Sequence, residues 1–570
     1  MTRTNRRRRR NKRPLRKFAL LLIFALSAFI AYRIFMPNGS HIDPVWKNLS
    51  KPIFFGSEAA AYSATGSGST LSLPLPVVQK ELDETARYES DSGSVIFTTP
   101  DKLVHVKVGQ TAGQMNRRKL QLTVAPSKKE GIVYVPADLL EQIYGVHIAE
   151  DRASGAVRVF LPGESIQNAA VKPDKKGSTT PLRQSDSIHA PILADVPPGA
   201  HLRILNTAGN WYYAQTDSGY AGFIRAKSVK TADKTMIPKR EIKAIPAVQA
   251  WEGKRINLTW EAVYRRPADP SVIDNLPGAN VVSPTWFQLA NADGNVKSKA
   301  DAAYVKRAHS LGIQVWGLYT NSFNADLTAK AFAGLESRLQ SINELLEYAK
   351  QYQLDGINID FENVHTKDGL SITQFMRELR PLAREQGLIV SIDVTPKSNS
   401  EMWSKFLDRR SLSEIVDFMF VMAYDEHWAA SPVAGSVASL PWTEAVVNKI
   451  LAEDHVPPSK LILGVPLYTR VWSEETVKGE TKVTSKAIGM STAQRIIEQF
   501  SLKPVLSADT RQNYVEYKEA GVVKKIWLED TESLQQRVEL VKRLRLGGIA
   551  SWNRSFASNE AWNVLSQVNE

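Results

Sequence analysis

Hydrophobic positions change their period several times along the chain. Residues 18–36 (FALLLIFALSAFIAYRIFM) are apolar with the sole charge at Arg33. A run of that length crosses the hydrocarbon core of a bilayer as a helix, and a long arginine near its end can snorkel to the interface. Further on, VHVKV (104–108) and VRVFL (157–161) alternate with the period of strands and flank a short helical pattern, VPADLLEQIYG. From about Arg255 to Glu570, strand-like stretches alternate with amphipathic helical ones such as SRLQSINELLEYAKQYQ (337–353). Eight strands can be counted there: INLTWEAV from Ile256, ANVVSPTWF from Ala279, QVWGLYTN from Gln314, GINIDFEN from Gly356, LIVSIDVTP from Leu388, FMFVMAYD from Phe418, LILGVPLYTRVW from Leu461 and GGIASWN from Gly547. Strand–helix alternation of this kind predicts an α/β fold, a parallel (β/α)8 TIM barrel. The spacing between Trp472 and Trp527 exceeds one barrel helix and holds extra strand-like text, so a small inserted lobe is expected after strand 7.

A chain of 570 residues is long enough for several domains. The pattern divides it into a basic cytoplasmic tail (1–17), a transmembrane anchor (18–36), a Ser-, Gly- and Pro-rich stalk (37–84) and a small α+β module (85–163). A linker (164–180), a small β-barrel domain (181–230), a second linker (231–254) and the α/β barrel (255–570) follow. Ten basic side chains and no acidic ones fall in residues 1–17, and taking those ten from the net charge of +13 leaves +3 for the rest. A near-neutral body argues against a nucleic-acid groove as the meaning of the charge. Basic residues before an apolar span stay cytoplasmic, which places residues 37–570 outside the cell membrane as a single-pass protein. A cleaved signal peptide is the alternative, although no small-x-small site follows the apolar run. With no cysteine, disulfides, thiolate chemistry and Cys-based metal motifs are excluded, and neither a metal nor a cofactor is expected. No feature specifies an oligomeric state.

The chemistry concentrates in Asp355 to Glu362, DGINIDFE. Side chains on a strand alternate faces, so Asn358, Asp360 and Glu362 project together while Ile357, Ile359 and Phe361 face the helices. Carboxylates inside a barrel are costly unless paired, hydrogen-bonded or used, and side chains that do chemistry in this fold sit at the carboxyl ends of its strands. Glu362 stands at that end.

This segment closely resembles the DGxDxDxE signature of glycoside hydrolase family 18, and MAYD (Met422 to Asp425), GVPLYTRVW (464–472, with Thr469 in place of Gly) and Trp552 on the last strand extend the resemblance. The resemblance implies hydrolysis of an N-acetylhexosamine polymer with retention, the substrate's own acetamido oxygen serving as nucleophile. It makes Glu362 the catalytic proton donor, Asp360 the residue that orients the acetamido N–H, and Tyr424 a hydrogen-bond donor to the acetamido oxygen. Trp552 becomes the floor of the subsite for the reacting sugar. Asn358, Asp425, Met422, Tyr468 and Arg470 are expected to line the sugar subsites, Met422 chiefly by packing, and Asp355 to support the strand end. Asn358 stands where many members carry Asp; an amide cannot share a proton with Asp360, so Asp360 is expected to stay ionised, held by the Asn358 N–H2. The same Asn and the stretch YDEHWAASPVAGSVASLPW (424–442) look like the branch containing spore and cell-wall N-acetylglucosaminidases.

Two further resemblances precede the barrel. YVPADLLEQIYGVHIAEDRASGAVRVFLP resembles the amino-terminal module of copper amine oxidases, without the clustered His ligands that copper requires, and a spacer role is expected for it. PLRQSDSIHAPILADVPPGAHLRIL with GNWYYAQTDSGYAGFIRAKSV resembles the bacterial Src-homology-3-like domain of cell-wall proteins, in which Trp211, Tyr212 and Tyr213 are more often core than ligand platform. Together these favour a membrane-anchored hydrolase of peptidoglycan that cuts β-1,4 bonds after N-acetylglucosamine. Chitin or chito-oligosaccharide hydrolysis and a non-catalytic wall-binding lectin are the alternatives; an intact Glu362 argues against the lectin. Expected partners are therefore an N-acetylglucosamine-containing polysaccharide and the membrane, with no nucleic acid.

Overall fold

A computed structural model describes residues 13–173, 177–239, 254–264, 269–477 and 480–570. The basic residues 1–12, the middle of the first expected linker and residues 240–253 of the second lie outside the described residues. Two compact units emerge: Met1–Glu84 with Leu122–Glu241, and Thr85–Gln121 with Ile242–Glu570.

The first unit begins with the helix Arg13–Phe35, of which Lys17–Phe35 is long and apolar enough to cross a membrane and is not buried against protein. The segment expected as a stalk carries ordered elements. Pro52–Phe55 and Glu58–Ser63 are strands of a four-stranded sheet with His147–Glu150 and Val157–Phe160, and Ser72–Pro74 pairs with Ile132–Pro136. Pro52–Phe55 is a four-residue apolar run whose partner, Val157–Phe160, lies about a hundred residues downstream, too short and too distant for a local pattern to mark it. The stretches expected as linkers likewise carry Ser165–Val171 and Val229–Met236, which pair antiparallel at one side of a seven-stranded sheet. Most side chains of Val229–Met236 are exposed, so no apolar alternation announces it. Trp211 of this sheet is buried, with the Arg225 guanidinium 4.3 Å from its ring centroid.

The second unit is the barrel. Its strands are β1 (Ile256–Glu261), β2 (Val281–Pro284), β3 (Gln314–Thr320), β4 (Gly356–Asp360), β5 (Ile389–Val394), β6 (Phe418–Met422), β7 (Leu461–Pro466) and β8 (Gly548–Trp552). Every neighbouring pair is parallel, and the β1–β8 and β2–β3 pairings close the ring. Helices including Leu335–Tyr352, Gly369–Glu385, Leu440–Glu453 and Thr531–Arg543 form the return segments; between β1 and β2 the described residues hold only the 3-10 turn Pro270–Ile273. Alternation along β4 sorts its residues as the period of two requires: Ile357 and Ile359 join the cluster shared with the helices, while Gly356, Asn358 and Asp360 face in. Gly356 has no room for more, since a Cβ there would lie 2.9 Å from the Trp316 ring that fills the barrel floor.

After β7 the chain forms the inserted lobe, a five-stranded antiparallel sheet (Tyr468–Val477, Glu480–Gly489, Val505–Ser507, Gln512–Glu519, Val522–Trp527) carrying the helix Met490–Gln499. Its small core is built on Ile488, Ala493, Val515, Ile526 and Leu528. The meander Arg87–Gln121, five antiparallel strands, belongs to the barrel's unit. Ile96 and Leu103 join the apolar cluster of the barrel helices. Glu89 accepts from Arg338 Nη2 (2.6 Å) and Leu335 N (3.0 Å), and the same guanidinium makes two 2.8 Å bonds to Glu378.

Candidate active site

The carboxyl ends of the barrel strands open into a cleft of roughly 540 Å³ lined by Trp260, Asp360, Glu362, Asp393, Met422, Tyr424, Asp425, Tyr468 and Trp552, among others. Glu362 sits two residues past Asp360, where β4 has ended. Its backbone is fixed by Asn321, a fully buried residue just after β3 whose amide accepts from Glu362 N (3.1 Å) and donates to Glu362 O (2.8 Å). Between them Phe361 is packed against Tyr319, Phe332 and Phe375. A rigid apolar plug on one side and a buried amide on the other hold the carboxyl at the cleft.

Burial, then the negative charges of Asp360 and Asp425, push the Glu362 carboxyl well above the usual carboxylate range. Burial pushes Asp360 up to about 7, and its Oδ1 is buried without a hydrogen-bond partner. Asp393, on β5, is raised well above its ordinary value by burial and then by Asp360, while the Asn358 hydrogen bond opposes the rise. Three carboxyls thus share a low-dielectric pocket in which burial, joined at Glu362 and Asp393 by mutual repulsion, raises each above its ordinary value.

Asn358 is not where the sequence put it. It is fully buried beneath the cleft, and its Nδ2 donates to Asp393 Oδ1 (2.8 Å) and Ser391 Oγ (3.1 Å). Its Oδ1 accepts from Trp260 Nε1 (3.0 Å) and Ser283 Oγ (3.2 Å). It is therefore no subsite lining, and its N–H2 does not hold Asp360. In the parallel register Asn358 lies opposite Ser391 of β5, so its amide turns sideways to the neighbouring strand instead of along its own. With Asp360 lacking that donor, burial dominates and its carboxyl is raised, contrary to the expectation that it stays ionised throughout.

The other expected residues gather around this centre. The Tyr424 phenol lines the cleft, its pKa raised by burial and then by Asp393 and Glu362. Asp425, in a left-handed conformation (φ 60°), accepts from Tyr468 Oη (2.7 Å) and Arg470 Nη2 (3.3 Å). Arg470 itself stands behind Tyr468, 5.8 Å from its ring centroid, and serves the cleft through Asp425. Thr469 donates to the Trp527 carbonyl, tying the first strand of the lobe to its last. Trp552 closes one wall, 6.0 Å from the Trp260 ring. Met422 is buried against the cleft floor. Asp355 lies at the other end of β4, accepting from Val315 N (2.8 Å) and bonded to His309 (2.9 Å).

Asp393, Trp260 and Asn321 were not foreseen. Asp393 had a signal: it is the polar residue two beyond Ser391 in the otherwise apolar IVSIDV of β5. Trp260 and Asn321 act through a bond to a distant strand and had none.

A closed eight-stranded barrel with clustered carboxyls at its carboxyl-terminal rim is an arrangement that suits a barrel glycosidase. Residues 321–557 match the profile of Glycosyl hydrolases family 18, and residues 57–159 that of the Copper amine oxidase N-terminal domain. The cortical fragment-lytic enzyme of Bacillus anthracis is 26% identical over 321 residues, covering 53% of this chain and 73% of that one. Human di-N-acetylchitobiase is 27% identical over 313 residues, covering 50% and 77%. The crystal structure of the Bacillus cereus spore cortex-lytic enzyme SleL superposes with a TM-score of 0.51 at 21% identity, covering 65% of this chain and 89% of that one. The chain carries a glycoside hydrolase family 18 domain and is a glycoside hydrolase.

Proposed function

We propose that this protein is a membrane-anchored, extracytoplasmic hydrolase that cuts the β-1,4 bond after N-acetylglucosamine in peptidoglycan by substrate-assisted retention. The observation that carries the chemistry is the raised carboxyl of Glu362, held at the cleft beside Asp360. A carboxyl that keeps its proton near neutrality can donate it to the leaving glycosidic oxygen and, once ionised, take one from water. Asp360 offers a buried Oδ1 with no partner, an acceptor suited to the acetamido N–H of the reacting sugar. The acetamido oxygen then closes on the anomeric carbon, the leaving sugar departs with the Glu362 proton, and the ionised form of Asp360, available near its pKa of about 7, stabilises the oxazolinium. Tyr424 Oη donates to that oxygen, and Trp552 supplies the apolar wall for the ring. Asp425, held by Tyr468 and Arg470, supplies an acceptor at the rim.

Wall specificity and anchoring rest on different support. The apolar helix Lys17–Phe35 follows a basic tail, which favours a tethered enzyme facing the wall. Relatives are named cortical fragment-lytic enzyme, and a solved structure of similar fold is that of a spore cortex-lytic enzyme. Di-N-acetylchitobiase among the relatives supports a second reading, hydrolysis of chito-oligosaccharides by the same residues. The chemistry is tested with full-length protein in detergent and its Glu362→Gln variant on chitin oligosaccharides and on sacculi. The amide has the shape of the acid without its proton, so turnover should fall by about 10²–10⁴ with folding intact. Turnover in the Gln variant close to wild type would remove Glu362 from the role of acid.

A further inference from the structure

One side chain of the cleft has no part in the chemistry above. Lys299 is the only basic residue among the described residues that line it. Its Nζ donates to the carbonyls of Val263 (3.0 Å) and Tyr264 (2.9 Å), just beyond β1, and its own N–H donates to Trp286 O (2.9 Å), just beyond β2. Among the described residues no carboxylate lies within salt-bridge distance of it. Two neutral carbonyls position the ammonium without answering its charge, and among the described residues its third N–H has no partner. Tyr264 beside it is 78% exposed, an aromatic face available to a sugar ring.

A neutral polymer has no use for that cation. Chitin offers only hydroxyls and acetamides, whereas the muramyl residue of peptidoglycan carries a lactyl ether at O3 whose carboxyl is amide-linked to the stem peptide and becomes a free carboxylate where that peptide has been removed. Strict alternation along the glycan places a muramyl residue next to any N-acetylglucosamine held at Glu362. We propose that Lys299 is a specificity-determining residue, its ammonium binding the lactyl carboxylate of the muramyl residue that flanks the reacting sugar on the β1–β2 side of the cleft. The inference rests on the peptidoglycan reading above and names the group by which peptide-stripped strands of that polymer are told from chitin. The same ammonium can meet a stem-peptide carboxylate where the lactyl carboxyl is amidated, so the two sources are separated by substrate.

Full-length protein in detergent is assayed on chitin hexasaccharide, on peptide-free glycan strands with free lactyl carboxylates, and on strands that keep their peptides. Loss of a charge-assisted hydrogen bond predicts that Lys299→Met lowers kcat/KM for peptide-free strands relative to chitin about tenfold, through KM, and that Lys299→Arg restores most of it. Equal losses on chitin and on peptide-free strands would make Lys299 a pin between the β1 and β2 loops and overturn the inference alone. A loss confined to peptide-bearing strands would overturn the lactyl assignment. Wild-type cleavage of chitin with none of either peptidoglycan substrate would overturn the peptidoglycan reading and the inference together.

Discussion

Replacing Arg338 by Met tests how the meander Arg87–Gln121 is joined to the catalytic barrel. Arg338 is 1% exposed and bonds both Glu89 and Glu378, the latter fully buried on the helix Gly369–Glu385. Met keeps the volume and removes the charge, leaving Glu378 without a cation in the interior. Breaking a buried pair by removing one partner costs about 3–5 kcal/mol. For a unit of about 370 residues, an unfolding entropy near 2.1 cal/mol/K per residue amounts to roughly 0.8 kcal/mol/K, so Tm falls by about 4–6 °C. The loss also depends on pH in a fixed direction. Burial already raises the Glu378 carboxyl and Arg338 opposes the rise, so without Arg338 the raised pKa climbs further. A group whose folded pKa is raised stabilises the fold below its unfolded pKa and loses that contribution as pH rises through the folded one. The gap between wild type and Arg338→Met should therefore be widest at alkaline pH and narrow in acid. Thermal melting of the full-length protein from pH 5 to 8.5 reads both effects. A shift under about 1 °C at pH 8, or a gap that does not narrow in acid, would refute the reasoning. A companion Glu89→Gln, which keeps the Arg338–Glu378 pair, should cost clearly less.

Wild-type activity should fall as pH rises through the raised pKa of Glu362, because the protonated acid is the competent form. In Asp360→Asn the negative neighbour is gone, so that alkaline limb should move to lower pH in kcat/KM profiles, alongside a turnover loss of about 10² or more; a limb that stays in place would separate the two carboxyls electrostatically. Asn358→Asp sets a carboxyl against Asp393 where an amide donates over 2.8 Å. The pair should retain a proton to higher pH, so the variant should match wild type near pH 5 and be about 1–3 kcal/mol less stable near pH 8. Melting curves with identical pH dependence would show that the amide does not govern Asp393.

The barrel was legible because each strand is an apolar run closed by a return segment, and because DGINIDFE placed alternate residues on alternate faces. The inserted lobe was legible from spacing alone. What escaped were relations between strands. The direction of the Asn358 amide depends on which residue of β5 stands opposite, a register that no single strand encodes. Asp393 belongs to the carboxyl cluster for the same reason. Pro52–Phe55 and Ser165–Val171 were hidden by distant partners and mixed polarity. Nor does any local pattern attach the meander to the barrel, since its anchor, Glu89 with Arg338, spans about 250 residues of chain.

Reducing-end analysis of the products tests the central claim most directly. Sacculi digested by the full-length protein, reduced with borohydride and analysed by mass spectrometry, should yield soluble muropeptides ending in reduced N-acetylglucosamine, and Glu362→Gln should yield none. Products ending in reduced N-acetylmuramic acid, or no soluble muropeptides while chitin oligosaccharides are cut, would contradict it.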